Sequence, residues 1–289
     1  MSKHLDPTLK HDAVILIDCL DGNPNGDPDA GNQPRIDPQT RQGLMTDACI
    51  KRKVRNYVGM KAKDLSTSER FKIFIEEGAV LNDTIARGYT ELGIEPKGKK
   101  SKEGNAEQQE QVKAWIQENF YDVRIFGAVL TTGLKAGQVW GPMQVHFGRS
   151  IDPVLPVSHT ITRCAATESK EDKENKTMGK KEGIPYGLYR STICYNPHLA
   201  SDLVTENDLI LFWEALVKAW EFDRSASRGL MACQGLWVFS HKNPYGNYPA
   251  HKLFDLIQIQ SLAETPRNIR DYEILVGEIP SGITLIKLA

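Results

Sequence analysis

The sequence lacks the long apolar segments that cross membranes. No window of the 289 residues holds 18 consecutive apolar residues, whereas a membrane-spanning helix needs about 20. The first eleven residues are polar and of mixed charge, so the apolar stretch of a secretion signal is missing there. We therefore expect a cytoplasmic protein with no membrane partner.

Motifs of metal and nucleotide enzymes are also absent. The five cysteines contain no CxxC pair, which argues against a zinc ribbon or a redox motif. The seven histidines show no HxH or HExxH spacing, and no glycine-rich segment matches GxxxxGK[ST] or GxGxxG. Acids at Asp18, Asp21, Asp27 and Asp29 lack the alternating pattern of a calcium loop. The sequence predicts no metal, no cofactor and no catalytic residue.

The chain as a whole carries almost no net charge, but its charges are unevenly distributed. A formal net charge of −1 argues against a simple nucleic-acid binder. Local charge sets the local field, however. Between Arg41 and Lys61 the chain carries six basic residues and one acid, Asp47. One short segment is therefore strongly basic within a neutral chain.

Periodicity and turn residues predict a mixed α+β chain. Strands are predicted over Ala13–Leu20, Asp122–Leu130, Gln138–Phe147, Tyr186–Tyr195, Gln234–Ser240 and Tyr272–Val276. Helices are predicted over Thr46–Tyr57, in two pieces of Ser66–Gly93 broken near Gly78, over Ala106–Phe120 and over Glu206–Trp220. A helical insertion near 59–120 and a charged excursion near 158–183 interrupt the α+β core.

The strongest candidate site joins a polar loop to the basic helix. Residues 21–40 are rich in Gly, Pro, Asn and Asp and are predicted to form an ordered loop. Thr46 is the expected N-cap of the following helix, and Gly59 is its expected end. Lys51 and Arg55 lie four residues apart and so share one helix face, which we expect to be free of neutralising acids. Cations beside backbone donors suit phosphate binding; a solvated helix face and a purely structural loop remain open.

Four further residues allow two interpretations each. Arg224 and Arg228 follow a predicted helix, where arginine either caps the helix end or holds a phosphate. Met178, the one large apolar residue in the charged segment 168–183, is either incidental or a wedge between bases. His159 is either a plain surface histidine or a base for RNA cleavage.

Six segments together resemble a known family. They read DGNPNGDPDAGNQPRIDPQT, LMTDACIKRKVRNYV, DVRIFGAVL, GPMQVHFGRSIDPV, IPYGLYR and FDRSASRG. The combination resembles the backbone subunit of the type I-C CRISPR surveillance complex (Cascade), in the repeat-associated RNA-binding superfamily. The aromatic RNP signature of sequence-reading RRM domains is missing, which fits a protein that holds RNA without reading it.

The resemblance implies a modified RRM-like (ferredoxin-like) palm over 1–289, a helical finger near 59–120 and a β-hairpin thumb near 158–185. It implies a non-catalytic protein that polymerises head-to-tail along a guide RNA, kinks it at intervals and leaves bases free for target DNA. Implied partners are further copies and the large, small and guide-processing Cascade subunits. A guide-processing endoribonuclease of the same superfamily, with His159 as base, is the alternative. The implied RNA contacts are Asn23, Asn25, Arg35, Thr46, Lys51, Arg52, Arg55, Arg163, Arg224 and Arg228, with Met178 as the wedge.

Overall fold

The computed structural model describes residues 2–64, 68–94, 105–131, 134–162 and 178–289. The helices in these ranges are α1 Asp47–Ala62, α2 Leu81–Glu91, α3 Ala106–Asn119, α4 Tyr121–Phe126, α5 Glu206–Phe222 and α6 Ala250–Phe254. The strands are β1 His11–Gly22, β2 Gly26–Asp27, β3 Gln33–Pro34, β4 Gln42–Met45, β5 Gly127–Leu130, β6 Gly137–Trp140, β7 Met143–Val145, β8 Gly148–Pro153, β9 Val157–Thr162, β10 Met178–Tyr195, β11 Leu230–His241, β12 Ile257–Ser261, β13 Tyr272–Val276 and β14 Ile283–Lys287.

A central antiparallel sheet organises the fold. Its strands run in the order β14-β11-β1-β10-β8-β4, with β7 and β9 also paired to β10. The central strand β1 pairs antiparallel with both β10 and β11. β1 is almost continuously apolar because both of its faces are covered. Ala13, Ile15 and Ile17 join the core that includes α1 and α5, whereas Val14 and Leu16 join a core on the other face. The predicted α+β class with strands at 13–20, 186–195, 234–240 and 272–276 is confirmed.

A second, largely helical core lies between α1 and β7 in sequence. Its buried residues are Phe74, Ile85, Tyr89, Val112, Ile116, Phe120, Val123, Leu130, Ala136 and Val139. They come from α2, α3, α4, the β5–β6 ribbon and the connecting residues Phe74 and Phe120. The separate apolar cluster accounts for the helical insertion that composition indicated in this part of the chain. No helix in the described ranges is long and apolar enough to cross a bilayer.

The starts of three helices were predicted correctly from residues at or beside those starts. Thr46 caps α1, with its Oγ accepting a hydrogen bond from the Cys49 N–H at 3.2 Å. Helix α5 begins at Glu206 as predicted and α3 at Ala106. The expected end of α1 at Gly59 was wrong, since the helix continues to Ala62. Of the two helical pieces expected over Ser66–Gly93, the second is α2, while the described part of the first is a single 3-10 turn over Ser68–Phe71.

The predicted strand over Asp122–Leu130 was wrong in its first half, which forms α4. The Asp122 carboxylate accepts hydrogen bonds from the Phe74 and Ile75 N–H groups at 2.7 and 3.0 Å. Arg124 is buried against Asp208, with Nη2–Oδ1 at 2.6 Å. These distant polar partners hold the segment as a helix against the β preference of its valine, isoleucine and phenylalanine. The single strand expected over Gln138–Phe147 is divided into β6 and β7.

The charged excursion begins and ends in an antiparallel pair of strands. β9 pairs with the first residues of β10, from Met178 opposite Thr162 to Gly183 opposite Val157. This pair extends the same strand that lies beside β1 in the sheet. The two flanks of the excursion are therefore ordered as a β arm, as expected for a hairpin. The division into palm, finger and thumb stays a prediction.

Candidate nucleic-acid interface

A polar cleft of about 420 Å³ opens where the loop after β1, the start of α1 and the segment after α5 meet. It is lined by Asn23, Pro24, Asn25, Gly26, Asn32, Thr46, Ala48, Cys49, Arg52, Ser227 and Arg228. Five residues predicted from sequence as RNA contacts are among them: Asn23, Asn25, Thr46, Arg52 and Arg228. The structure thus brings three separate sequence segments to one cavity.

The loop wall of the cleft is held by its own asparagines. Asn23 donates from Nδ2 to the Asn32 carbonyl at 2.6 Å, and Asn25 Oδ1 accepts from the Thr46 N–H at 2.9 Å. Asn32 adopts φ +64°, a left-handed angle that asparagine tolerates better than most residues. Gly26 lies close to this asparagine, since an added Cβ would lie 2.0 Å from Asn32 Oδ1 and would displace that side chain. The predicted ordered loop is therefore confirmed, although it contains the short β2–β3 pair and a 3-10 turn.

The helix wall is the N-terminal turn of α1. Ala48 and Cys49 line the cleft, and Arg52 follows one turn later. The first N–H groups of a helix have no intrahelical acceptor, and the helix dipole places partial positive charge at this end. Arg52 is 55% exposed and pairs with Glu77, itself 85% exposed, at 2.7 Å. This wall therefore offers one accessible guanidinium beside backbone donors.

The third wall is the segment after α5. The Ser227 carbonyl accepts from the Asn23 N–H at 2.8 Å, which joins this segment to the loop. Arg228 pairs with Asp223 at 3.0 Å, and Asp223 also accepts from the buried Lys53. Burial lowers the pKa of Lys53 to about 8, so its ammonium form still predominates at neutral pH. Two cations thus share one carboxylate, and the wall keeps an excess positive charge.

Lys51 and Arg55 were expected to form an accessible basic face without neutralising acids, and this expectation was wrong. Lys51 pairs with Asp47, four residues earlier, at 3.1 Å, so an acid does lie at the spacing that was expected to be free. Arg55 is buried and donates from Nε to Asp122 Oδ2 at 2.8 Å. Both cations lie over the Phe126 ring, at 5.5 and 5.2 Å from its centroid. The two residues do share a face, but that face packs against α4 and not into the cleft.

The remaining predicted residues that the structure describes are not among those lining the cleft. Arg35 pairs with Asp27 at 3.2 Å. Arg224 donates from Nε to the Glu221 carbonyl at 3.3 Å and pairs with the Glu221 carboxylate, which is the helix-end arrangement anticipated as one of its two interpretations. Met178 is 79% exposed at the start of β10. Arg163 lies outside the described residues.

His159 lies on the β arm, away from the cleft. It is exposed on β9, opposite Lys181, and both line a separate hollow with Asp21. In the described part of the chain, no three His, Cys, Asp or Glu side chains are grouped so as to hold a metal ion. Burial raises the pKa of the Cys19 thiol to about 12 and that of Cys233 to about 11, as suits core cysteines.

Sequence reasoning missed Lys53 and Asp223 as parts of the site. Lys53 was counted among the basic residues of α1, but its spacing could not show that it turns inward to Asp223. Asp223 directly follows α5 and lies one residue before Arg224, within the FDRSASRG segment. An acid beside two arginines at a helix end was the signal available for finding it.

Fold and site define a mixed α+β protein with a polar, cation-lined cleft at the end of a central strand of its antiparallel sheet. The chain belongs to the CRISPR-associated protein Cas7 family, whose family model matches residues 9–277.

Two further comparisons agree with this family. A curated CRISPR-associated protein Cas7 from Haloferax volcanii is 44% identical over 50 residues, which are 17% of this chain and 15% of that protein. The matched segment is thus a small part of that relative's length. A chain of a solved "CRISPR RNA-guided surveillance complex, pre-nicking" is similar in fold, with a TM-score of 0.50, 14% identity and 83% of each chain covered.

Proposed function

We propose that this Cas7-family chain is a non-catalytic backbone subunit of a CRISPR surveillance complex, and that it holds the guide RNA by its phosphates. The observation that carries the proposal is the cleft in which Asn23, Asn25, Thr46, Arg52 and Arg228 converge. Family membership supports a place in a CRISPR complex, and the polar and cationic groups of the cleft support RNA phosphate as the ligand. A guide has variable sequence, so its holder must grip ribose and phosphate and leave base edges free.

The cations of the cleft can exchange their present partners for phosphate. The Arg52–Glu77 pair joins two exposed side chains, and such pairs contribute only about 0–1 kcal/mol. Arg228 shares Asp223 with Lys53, so the carboxylate stays neutralised when Arg228 turns to another anion. A phosphate can therefore recruit both guanidinium groups without leaving a buried carboxylate uncompensated.

Several finer features belong to the same proposal. We place the chain in the type I-C subtype, with an RRM-like palm formed by the central sheet and with copies arranged head-to-tail on the RNA. The exposed β arm of β9 and β10 would act as the thumb. Met178, the first residue of β10, would insert between bases of the RNA at each kink. The exposed bases would pair with target DNA, and the large, small and guide-processing subunits would complete the assembly in the cytoplasm. No catalytic step is proposed for this chain.

The test is the salt dependence of RNA binding. In fluorescence anisotropy with two unrelated single-stranded RNAs, the double variant Arg52→Ala/Arg228→Ala should lower affinity equally for both sequences. Loss of two phosphate contacts should reduce the slope of log K against log salt by about 1.4, since each contact contributes about 0.7 on single strands.

The control removes two exposed arginines elsewhere. Arg87 pairs with Glu91 on α2 and is 52% exposed; Arg270 is exposed on the 3-10 turn Ile269–Asp271. The variant Arg87→Ala/Arg270→Ala changes net charge equally and should leave the slope unchanged. Equal slopes for the wild-type protein and the cleft variant, or equal losses in both double variants, would refute the cleft as the phosphate site.

A further inference from the structure

An exposed tryptophan lies on the β5–β6 ribbon. Trp140 is 67% exposed, whereas Trp213, Trp220 and Trp237 are at most 3% exposed and Trp115 is partly buried. Its partner across the ladder is Gly127, so no side chain faces the indole from that position. Val129, on the same face of the ribbon two residues along, is 62% exposed. The opposite face of the ribbon is packed, because Val139 and Leu130 belong to the second core.

Contacts through Phe126 link the ribbon that carries Trp140 to the first half of α1. Gly141, the next residue, lies against the Phe126 backbone so closely that an added Cβ would be 2.1 Å from the Phe126 carbonyl carbon. The Phe126 ring in turn lies 5.5 Å below the Lys51 ammonium group. Lys51 directly precedes Arg52 of the cleft in sequence, on the neighbouring side of α1. These contacts link the ribbon that carries Trp140, through Phe126, to α1, the helix whose first turn lines the cleft.

We propose that Trp140 is a stacking platform for one base of the single-stranded RNA whose backbone occupies the cleft. This inference rests on the proposed function and adds a base contact to its phosphate contacts. Indole rings bind bases through their π faces without sequence preference, as a guide holder requires. Lys51, which pairs with Asp47 and lies over the Phe126 ring, places a positive charge on the side of α1 that faces Phe126.

The size of the patch favours a base over a protein partner. A tryptophan side chain offers at most about 250 Å², and the adjoining Val129 adds a small area. A specific protein interface takes about 800 Å² from each partner. One flat aromatic face of this size matches one nucleobase better than it matches a second chain.

The experiment combines affinity, salt slope and tryptophan emission in the full-length protein. With short single-stranded RNA, Trp140→Ala should weaken binding about 5- to 150-fold, the range that loss of one base stack produces. Unlike the cleft variant, it should keep the wild-type salt slope. Trp140→Phe should bind with intermediate affinity, and RNA should quench emission of the wild-type protein more than that of Trp140→Phe.

Tyr245 supplies the matched control, since it is 84% exposed and lies after β11. Tyr245→Ala should bind as the wild-type protein does. The stacking proposal is overturned if Trp140→Ala binds RNA with wild-type affinity. It is also overturned if the weaker binding of Trp140→Ala is accompanied by a smaller salt slope. Normal binding to short RNA combined with failure to coat long RNA also overturns it, because the indole would then contact a neighbouring copy. If Arg52→Ala/Arg228→Ala shows the reduced salt slope of RNA binding while Trp140→Ala binds RNA as the wild-type protein does, only the stacking inference fails.

Discussion

Replacing Gly22 by alanine should move Arg228 out of the cleft. Gly22 ends β1, and a Cβ built there would lie 1.9 Å from the Arg228 carbonyl oxygen. Real Cβ atoms essentially never approach within 3.0 Å, so the Arg228 backbone must retreat by about 1.1 Å, the difference between 3.0 and 1.9 Å. The Asn23–Ser227 backbone hydrogen bond at 2.8 Å lies beside this contact and should be strained or lost.

Two measurements follow from that displacement. The free energy of unfolding, measured with urea, should fall by about 1–3 kcal/mol, the usual cost of overpacking a tight contact. The salt slope of RNA binding should fall by about 0.7, because one phosphate contact is lost when Arg228 shifts. Circular dichroism should still show the wild-type content of helix and strand, because Gly22 is at the end of its strand.

Gly59→Ala is the matched control. Gly59 lies inside α1, where a Cβ would meet Ile73 at an ordinary 3.4 Å. Alanine should stabilise the helix there by about 0.5–1 kcal/mol and leave RNA binding unchanged. A folded Gly22→Ala protein with wild-type affinity and slope would refute the reasoning that Gly22 positions Arg228.

Three further predictions concern two buried charged or titratable groups and the reactivity of the cysteines. Arg124→Leu should lower the free energy of unfolding by about 3–5 kcal/mol, because the fully buried Asp208 carboxylate loses its closer guanidinium partner at 2.6 Å and keeps only the longer contact with Arg70 at 3.3 Å; a urea midpoint close to wild type would contradict it. Burial lowers the pKa of His11 from 6.5 to about 4, so between these pH values the unfolded chain binds a proton that the folded chain does not. Stability should therefore fall as pH falls through this window, by about 3 kcal/mol for this group, and less in His11→Gln; equal losses in both proteins would refute the assignment. Among the described cysteines, Cys49 should react with a thiol reagent far faster than the buried Cys19, and bound RNA should slow that reaction because Cys49 lines the cleft.

The cysteine experiment uses a protein in which Cys164, outside the described residues, is replaced by serine. RNA that leaves the Cys49 labelling rate unchanged would contradict occupation of the cleft. Labelling in 6 M guanidinium chloride, where all thiols are accessible, supplies the reference for full reaction.

Local sequence determined the elements whose signals lie within a few residues. Thr46 was enough to predict where α1 begins, and Ile50, Val54 and Tyr57, which lie at helical spacing, are buried as the helix period requires. The apolar run at Ala13–Leu20 predicted a strand, and β1 lies at the centre of the sheet with both faces covered. The six segments that resemble the family placed the chain in it before any contact was known.

Tertiary structure decided which predicted cations can reach a ligand. Spacing places Lys51 and Arg55 on one helix face, but the direction of that face depends on Asp122 and Phe126, which lie far along the chain. The same distant packing turned the start of Asp122–Leu130 into a helix. Arg228 reaches the cleft only because the chain returns beside the end of β1 after α5. Helix period and capping are local properties of a sequence, whereas burial of a charge depends on partners that only folding brings together.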